Sequence, residues 1–311
     1  MTVSDCIPKW LTSKEATVKP STYAVCTNVA YMVITPEFGS ENLDAINEDR
    51  IQGWVLSMIR AGRLGRRTIH DRIVHMCGLL KFAERRGFRK PQVPIKVKIP
   101  RVFFEDDKRV KTISSETIDK LIVSVASELS PKSVGIAMSL MSGLRIGEVC
   151  GLKWSDIDLE ANILHVRRTI SRIYENTGPG KGRTRVVIGP PKSRTSRRDV
   201  YISSALRSLI CKLSSPECAD AYFIRSMEKP LEVRSYREFF DRFLARHGIE
   251  HFNFHALRHT FATKCIEKGA DAKTVSEILG HSTVNLTLNL YVHPTNGQKN
   301  KAVEQAFSFE L

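Results

Sequence analysis

Residues 255–262 read His255-Ala256-Leu257-Arg258-His259-Thr260-Phe261-Ala262, and their spacing decides how the second half of the chain is built. On a helix the i, i+3 relation puts His255 and Arg258 on one face, while Leu257, Phe261 and Ala262 can turn inward. His259, one position past Arg258, turns away from that face and reads as structural. His255 and His259 stand at i, i+4 as a zinc pair would, but no Glu follows His255, so the likeness to a metal motif is superficial. An imidazole and a guanidinium thus share one helix opening.

Other polar residues gather at element ends on either side. Gly280-His281-Ser282 closes a further helix, and Tyr291 follows ten residues after His281. Upstream, Leu144-Arg145-Ile146-Gly147-Glu148 sits at the mouth of a helix that begins after Gly143. Lys192 lies in the turn Pro190-Pro191-Lys192-Ser193-Arg194-Thr195-Ser196 between two strands. Glu148 and Asp158 read as carboxylates that orient arginines or cap helices. Two guanidiniums, an ammonium, two imidazoles and a phenol suit phosphoryl chemistry. Arginine forks clamp phosphate oxygens and stabilise a five-coordinate phosphorus. An ammonium can protonate a leaving alkoxide, and an imidazole can carry the nucleophile's proton. A tyrosine that attacks phosphorus conserves the bond energy in a phosphodiester. No cofactor and no metal is expected.

Helical periodicity dominates most of the chain. Pro20-Ser21-Thr22 opens a helix through Tyr23, Val25, Val29 and Met32 that closes at Pro36–Gly39. Asn47-Glu48-Asp49 starts a second through Ile51, Trp54, Val55 and Met58, and a third runs from near Thr68 to Gly87. Three prolines and no helical period mark residues 91–111 as extended and basic. Beyond them come a helix capped at Ser114 or Ser115 and an apolar helix from Val134 to Leu140. Strand patterns at Ile163–Val166, Arg185–Ile188 and Asp199–Ile202 predict a small three-stranded antiparallel sheet. The fold class is therefore mainly α in two domains. Residues 1–98 form a helical domain, 99–111 a basic linker, and 112–311 a mostly helical domain carrying the sheet.

Composition narrows the partner. The 311 residues carry 48 Lys+Arg against 33 Asp+Glu, a formal charge of +15. Thirteen basic residues against two acids lie between Ile59 and Arg101, and ten against Glu175 alone between Arg167 and Arg198. Two such runs point to a polyanion, nucleic acid ahead of a membrane surface. No apolar run approaches the roughly 18 residues of a membrane span, and the opening has no signal-peptide core. Seven scattered cysteines with no CxxC pair argue against a disulfide framework and for a reducing cytoplasm.

Taken in order, Ser142–Glu148 with Leu152-Lys153-Trp154 and Asp158, Pro191-Lys192-Ser193 through Arg198, His255–Ala262, and Leu279-Gly280-His281-Ser282 with Tyr291 resemble the tyrosine recombinases, the phage-type integrases. The likeness covers nearly the whole chain. It implies an N-terminal SAM-like core-binding domain and a catalytic domain that together clamp DNA. It implies a site-specific recombinase that cuts and rejoins strands through a 3′-phosphotyrosyl intermediate and a four-way (Holliday) junction, in integration, excision or inversion. Arg145 and Arg258 would hold the scissile phosphate, Lys192 would act as general acid, and His255 would assist proton transfer with Tyr291. His281 would hydrogen-bond a phosphate oxygen, and Tyr291 would be the nucleophile. Arg66, Arg67, Arg72, Lys96, Lys98 and Arg101 are the expected DNA contacts. The expected partner is double-stranded DNA bearing paired core sites. On it the chain would be a homotetramer, and free it would be monomeric or weakly associated. A short apolar tail (Ala302, Val303, Ala306, Phe307) would dock on the neighbouring protomer. The expected setting is the cytoplasm, near the nucleoid, of a bacterium carrying a phage or mobile element. A type IB topoisomerase-like nicking-closing enzyme and a catalytically silent DNA-binding regulator are the alternatives.

Overall fold

The computed structural model describes residues 1–100, 112–178, 181–190, 194–214, 216, 218–225 and 227–291. They fall into two compact units: 1–100 with the ribbon residues 172–178 and 181–185, and the remainder.

The first unit is helical. α1 (Val3–Glu15) begins at a reciprocal cap, in which the Asp5 N–H donates to Thr2 Oγ1 at 3.2 Å and the Thr2 N–H to Asp5 Oδ2 at 3.1 Å. It buries Val3, Ile7, Trp10 and Leu11 despite Pro8 within it. α2 (Pro20–Val29) passes through a π-helical turn at Ala30–Ile34 into α3 (Thr35–Phe38), and the Thr35 hydroxyl caps the wider turn on the Ala30 carbonyl at 2.9 Å. The sequence pattern suggests one unbroken helix here; a π turn interrupts it, with Ala30 and Ile34 both buried. α4 (Glu48–Arg60) is capped by the Asn47 side chain, and α5 (Arg66–Arg85) follows. Trp10, Phe38, Leu43, Ile51, Val55, Ile69, Met76 and Leu79 pack into its core.

One member of the basic run belongs to this core. Arg89 is buried and donates from Nε to the Leu43 carbonyl at 3.0 Å, with the Ile46 carbonyl and Glu84 taking its other nitrogens. Residues 91–100 form neither helix nor strand, yet they are tied down. The Lys96 N–H donates to Glu48 at 2.7 Å, the Lys98 N–H donates to Gln52 at 2.9 Å, and Ile95, Val97 and Ile99 lean on the core.

The second unit surrounds α7 (Pro131–Ser142), a helix apolar on nearly every side and enclosed as such helices must be. α6 (Ser115–Ser127) precedes it, and α8 (Ile146–Gly151) follows after a sharp turn. The strands are β1 (Ile157–Asp158), β2 (Ile163–Val166), β3 (Thr169–Gly178), β4 (Lys181–Gly189) and β5 (Arg198–Tyr201). A three-stranded antiparallel sheet is present, in the order β1-β2-β5, with Ile157 opposite Leu164 and Val166 opposite Arg198. The Arg185–Ile188 strand is not one of its members: it lies in β4, which pairs with β3 as a separate ribbon, and the two-residue β1 takes its place. α9 (Ser204–Cys211), α10 (Val233–Arg246), α11 (His255–Glu267), α12 (Ala272–Leu279) and α13 (Val284–Tyr291) complete the unit. Among the described residues no helix is long and apolar enough to cross a membrane.

Two left-handed glycines set the chain turns nearest the polar cluster. Gly143 (φ +67°) ends α7, and a Cβ there would come within 2.7 Å of both Leu279 and Phe261. Gly280 (φ +65°) ends α12, and its Cβ would meet Ser196 Cα and the Thr195 carbonyl at 3.0 Å. Gly143→Ala combines a left-handed penalty with overpacking, so a loss of about 2–4 kcal/mol is expected in urea unfolding. A change below about 0.5 kcal/mol would show that neither constraint holds.

Candidate active site

Arg145 stands at the N-cap of α8, and Glu148 at its third position reaches back to it. The carboxylate accepts the Arg145 N–H at 2.9 Å and the Arg145 guanidinium at 2.8 Å. It also accepts both Nη groups of Arg198, at 3.2 and 3.1 Å. Burial pushes the Glu148 pKa up, but Arg198 and then Arg145 outweigh it, so the carboxyl lies below its ordinary value. Arg198 extends to the carbonyls of Ser196 and Ile278, tying β5 to the end of α12.

Arg258 is 1% exposed. Its Nη1 donates to the Gly143 carbonyl at 2.7 Å and its Nη2 to the Leu279 carbonyl at 2.8 Å, so one guanidinium joins the ends of α7 and α12 to α11. Arg145 approaches the next carbonyl, Gly280, at 3.4 Å. Burial, and after it the charge of Arg145, lowers the Arg258 pKa to about 9, which leaves it cationic at neutral pH. Three guanidiniums therefore converge around one carboxylate, an excess of positive charge that only an anion can offset.

The imidazoles line the same place. His255 opens α11, and burial followed by His259, Arg258 and Arg145 lowers its pKa to about 4, although part of the residue remains accessible. His281 follows Gly280 and falls to about 4 through burial and then the three arginines. Its Nδ1 lies 2.9 Å from the hydroxyl of buried Thr287, and its ring runs parallel to that of Tyr291, centroids 6.5 Å apart. Tyr291 ends α13 with 6% of its surface exposed. Burial raises its pKa, and Arg258 and Arg145 pull the other way. At neutral pH the set holds neutral imidazoles, a protonated phenol and a charged Arg258.

Arg145, His255, Arg258, His281 and Tyr291 thus meet in the second unit. Lys192, Arg101 and residues 298–311 lie outside the described residues. Arg66 and Arg67 are exposed on the opening turn of α5, where Arg67 lies 3.4 Å from Asp71. Arg72 is half-buried and reaches the Met58 sulfur at 3.6 Å, while Lys96 and Lys98 are exposed.

Two residues depart from the reading of the sequence. His259 does not turn away: its Nδ1 is 2.6 Å from the Tyr291 hydroxyl, and its ring lies edge-on to His255 at 4.4 Å. Positions i and i+4 stack on one helix face, and that relation, with His255, outweighs the i+1 step from Arg258. Arg198, in the sequence one more cation of the Arg167–Arg198 run, is 8% exposed, at an inward position of β5 beside Val200. Strand alternation carried that signal, since Asp199 and Tyr201 point outward.

The profile of the phage integrase family matches residues 111–298, and that of the phage integrase N-terminal SAM-like domain matches residues 2–59. The chain belongs to the phage integrase family, the tyrosine recombinases. It is 32% identical to a tyrosine recombinase XerC-like protein of Caldanaerobacter subterraneus subsp. tengcongensis over 210 residues, 63% of this chain and 53% of that one, so it spans about half the length of that relative. It is 26% identical to tyrosine recombinase XerC of Bacillus pumilus over 283 residues, 87% of each. The fold is that of other integrases: a Tn1549 transposon integrase fragment, solved with a circular intermediate DNA, superposes with a TM-score of 0.79 at 21% identity, covering 99% of this chain and 100% of that one.

Proposed function

We propose that this tyrosine recombinase cuts and rejoins DNA at specific sites through Tyr291. The observation that carries the reading is the gathering of two arginines, Arg145 and Arg258, on the neighbouring carbonyls of Gly280 and Leu279 beside His255, His259, His281 and the Tyr291 hydroxyl. The arginines hold the scissile phosphate and stabilise the charge that builds on its oxygens. His281 donates to a phosphate oxygen, and His255 assists transfer of the nucleophile's proton. Tyr291 attacks phosphorus and remains joined to the 3′ end. Lys192, in the role the family resemblance gives it, protonates the departing 5′-oxygen. The 5′-hydroxyl of a partner strand then reverses the step, and two rounds pass through a four-way junction.

The DNA is double-stranded and carries paired core sites, and the working assembly is a homotetramer in the cytoplasm. The Tn1549 integrase that shares the fold was solved with DNA, which supports that partner. The helical domain 1–98 and the linker 99–111 grip the backbone, and the catalytic domain 112–311 does the chemistry. Arg66 and Arg67 stand at the positive end of α5, where a cation is unfavourable without an anion to meet it; Asp71 lies 3.4 Å from Arg67, and a DNA phosphate would add to it. If these two, Arg72, Lys96, Lys98 and Arg101 each meet a phosphate, affinity is expected to fall about a thousandfold between 50 and 200 mM salt. Filter binding across that range checks it, and a flat profile would exclude backbone contact as the main term.

The chemistry is tested by a covalent trap. Nicked duplexes tiled from DNA flanking the gene are incubated with the protein in EDTA, quenched in detergent and resolved on a gel. A protein–DNA adduct on one duplex family is the expected result. Binding without an adduct on any duplex would overturn the reading in favour of a regulator, and relaxation of supercoils without sequence preference would favour a topoisomerase.

A further inference from the structure

We infer that His259 is the base that takes the phenol proton of Tyr291, with His255 behind it; this rests on the reading of Tyr291 as the nucleophile. The hydrogen bond of the Tyr291 hydroxyl goes to His259 Nδ1 at 2.6 Å, not to His255. The His255 ring lies edge-on to that of His259, centroids 4.4 Å apart. His281 has its Nδ1 committed to Thr287.

Proton affinities fit this arrangement. Burial keeps the phenol above its ordinary pKa, so little phenolate exists at neutral pH and attack needs an acceptor in contact with the oxygen. Burial, and then Arg258, holds the His259 imidazole below its ordinary value, so a ring nitrogen is open to accept. Among the described residues, the ionisable groups around it are His255 and Arg258 on its own helix, Tyr291 from α13 and His281 after α12. The one such residue in α7, Lys132, lies over the Phe239 ring instead. Among the described residues no carboxylate touches the imidazole to hold a second proton on it.

The step balances as follows. The Tyr291 Oη–P bond forms with the electron pair of the O–H bond retained on oxygen, and the proton moves to His259 Nδ1. The P–O5′ bond breaks, and the 5′-oxygen takes its proton from Lys192. On rejoining, the 5′-hydroxyl returns that proton to Lys192 as it attacks, and the His259 imidazolium reprotonates Oη.

His259→Asn places an amide where Nδ1 stood, so it can hold the hydroxyl but cannot take its proton. On the nicked duplex that the wild type marks, the single-turnover adduct rate of the full chain is measured against pH. His259→Asn is expected to lower the neutral-pH rate about 10²–10⁴-fold. Its residual rate should climb with pH where the wild type is flat, because hydroxide then removes the proton. His255→Asn should cost less and keep the wild-type profile. An His259→Asn rate within tenfold of wild type, or a lowered rate with an unchanged profile, would overturn the assignment; so would the larger loss falling on His255→Asn. Unchanged DNA binding shows that each variant is folded. If His259→Asn does not fold, the nitrogen spectrum of the ¹⁵N-histidine-labelled wild type against Tyr291→Phe decides the contact. A shift of the His259 Nδ1 resonance supports it, and a static resonance overturns it. Failure of the wild type to form any adduct tells against the nucleophile instead, and the nitrogen spectrum still decides the contact.

Discussion

Tyr291→Phe is expected to remove the covalent adduct entirely, a loss of at least about 10⁴-fold, while DNA affinity stays within about twofold of wild type. The substitution deletes one oxygen and keeps the ring, so the packing of α13 against α11 and α12 survives. Its structural cost is the contact with His259 Nδ1, which is left without its partner at about 1 kcal/mol. Two other tyrosines could be rivals, and neither has this setting. Tyr201 projects into solvent from β5 with 78% of its surface exposed, and Tyr222 is buried under the Lys153 ammonium. Gel quantification of the trapped complex checks the expectation, with filter binding as the control. An adduct at the wild-type rate would transfer the nucleophile to another residue.

Glu148→Ala should be the most damaging single change to the second unit, lowering its stability by about 3–5 kcal/mol. The side chain is 2% exposed, and its removal strands buried Arg198 beside Arg145 and Arg258 with no counter-charge. Strand cleavage should fall with it, because Arg145 loses the fork that aims it. The ion pair also predicts a pH dependence. The folded carboxyl has a lower pKa than the unfolded one, so its stabilisation is complete above the unfolded value of about 4.3 and is lost as pH falls through the folded value. Urea unfolding of wild type and variant should therefore differ most near neutral pH and converge as pH falls from about 4.3 through the lower folded value. A constant difference down to the most acidic conditions would mean that packing, not charge, holds the site.

Much of the second unit could be read from the chain because its chemistry sits at helix ends, and helix ends have local signatures. Ser130, Ser142-Gly143 and Gly280 mark the turns that bring Arg145, Arg258 and His281 together. What stayed hidden depends on contacts distant in sequence. Arg198 looked like one more cation of a basic run until β5 alternation turned it inward onto Glu148, 50 residues away. The hydroxyl that His259 meets lies 32 residues on, so no helical period could reveal it. α1 escaped for a local reason: Pro8 masked the period of Ile7, Trp10 and Leu11, although Thr2 and Asp5 already spelled its cap. In the sheet, Arg185–Ile188 has strand propensity, but propensity names no partner, and β4 pairs with its chain neighbour β3.

The most direct test of Tyr291 as nucleophile is to identify the linked residue. The trapped adduct is digested with protease and nuclease, and the nucleotide-bearing peptide is sequenced by mass spectrometry, with end-labelling to establish which DNA end is joined. A single nucleotide on Tyr291, joined through its 3′-phosphate, is expected. A nucleotide on any other residue, or a 5′ linkage, would contradict it.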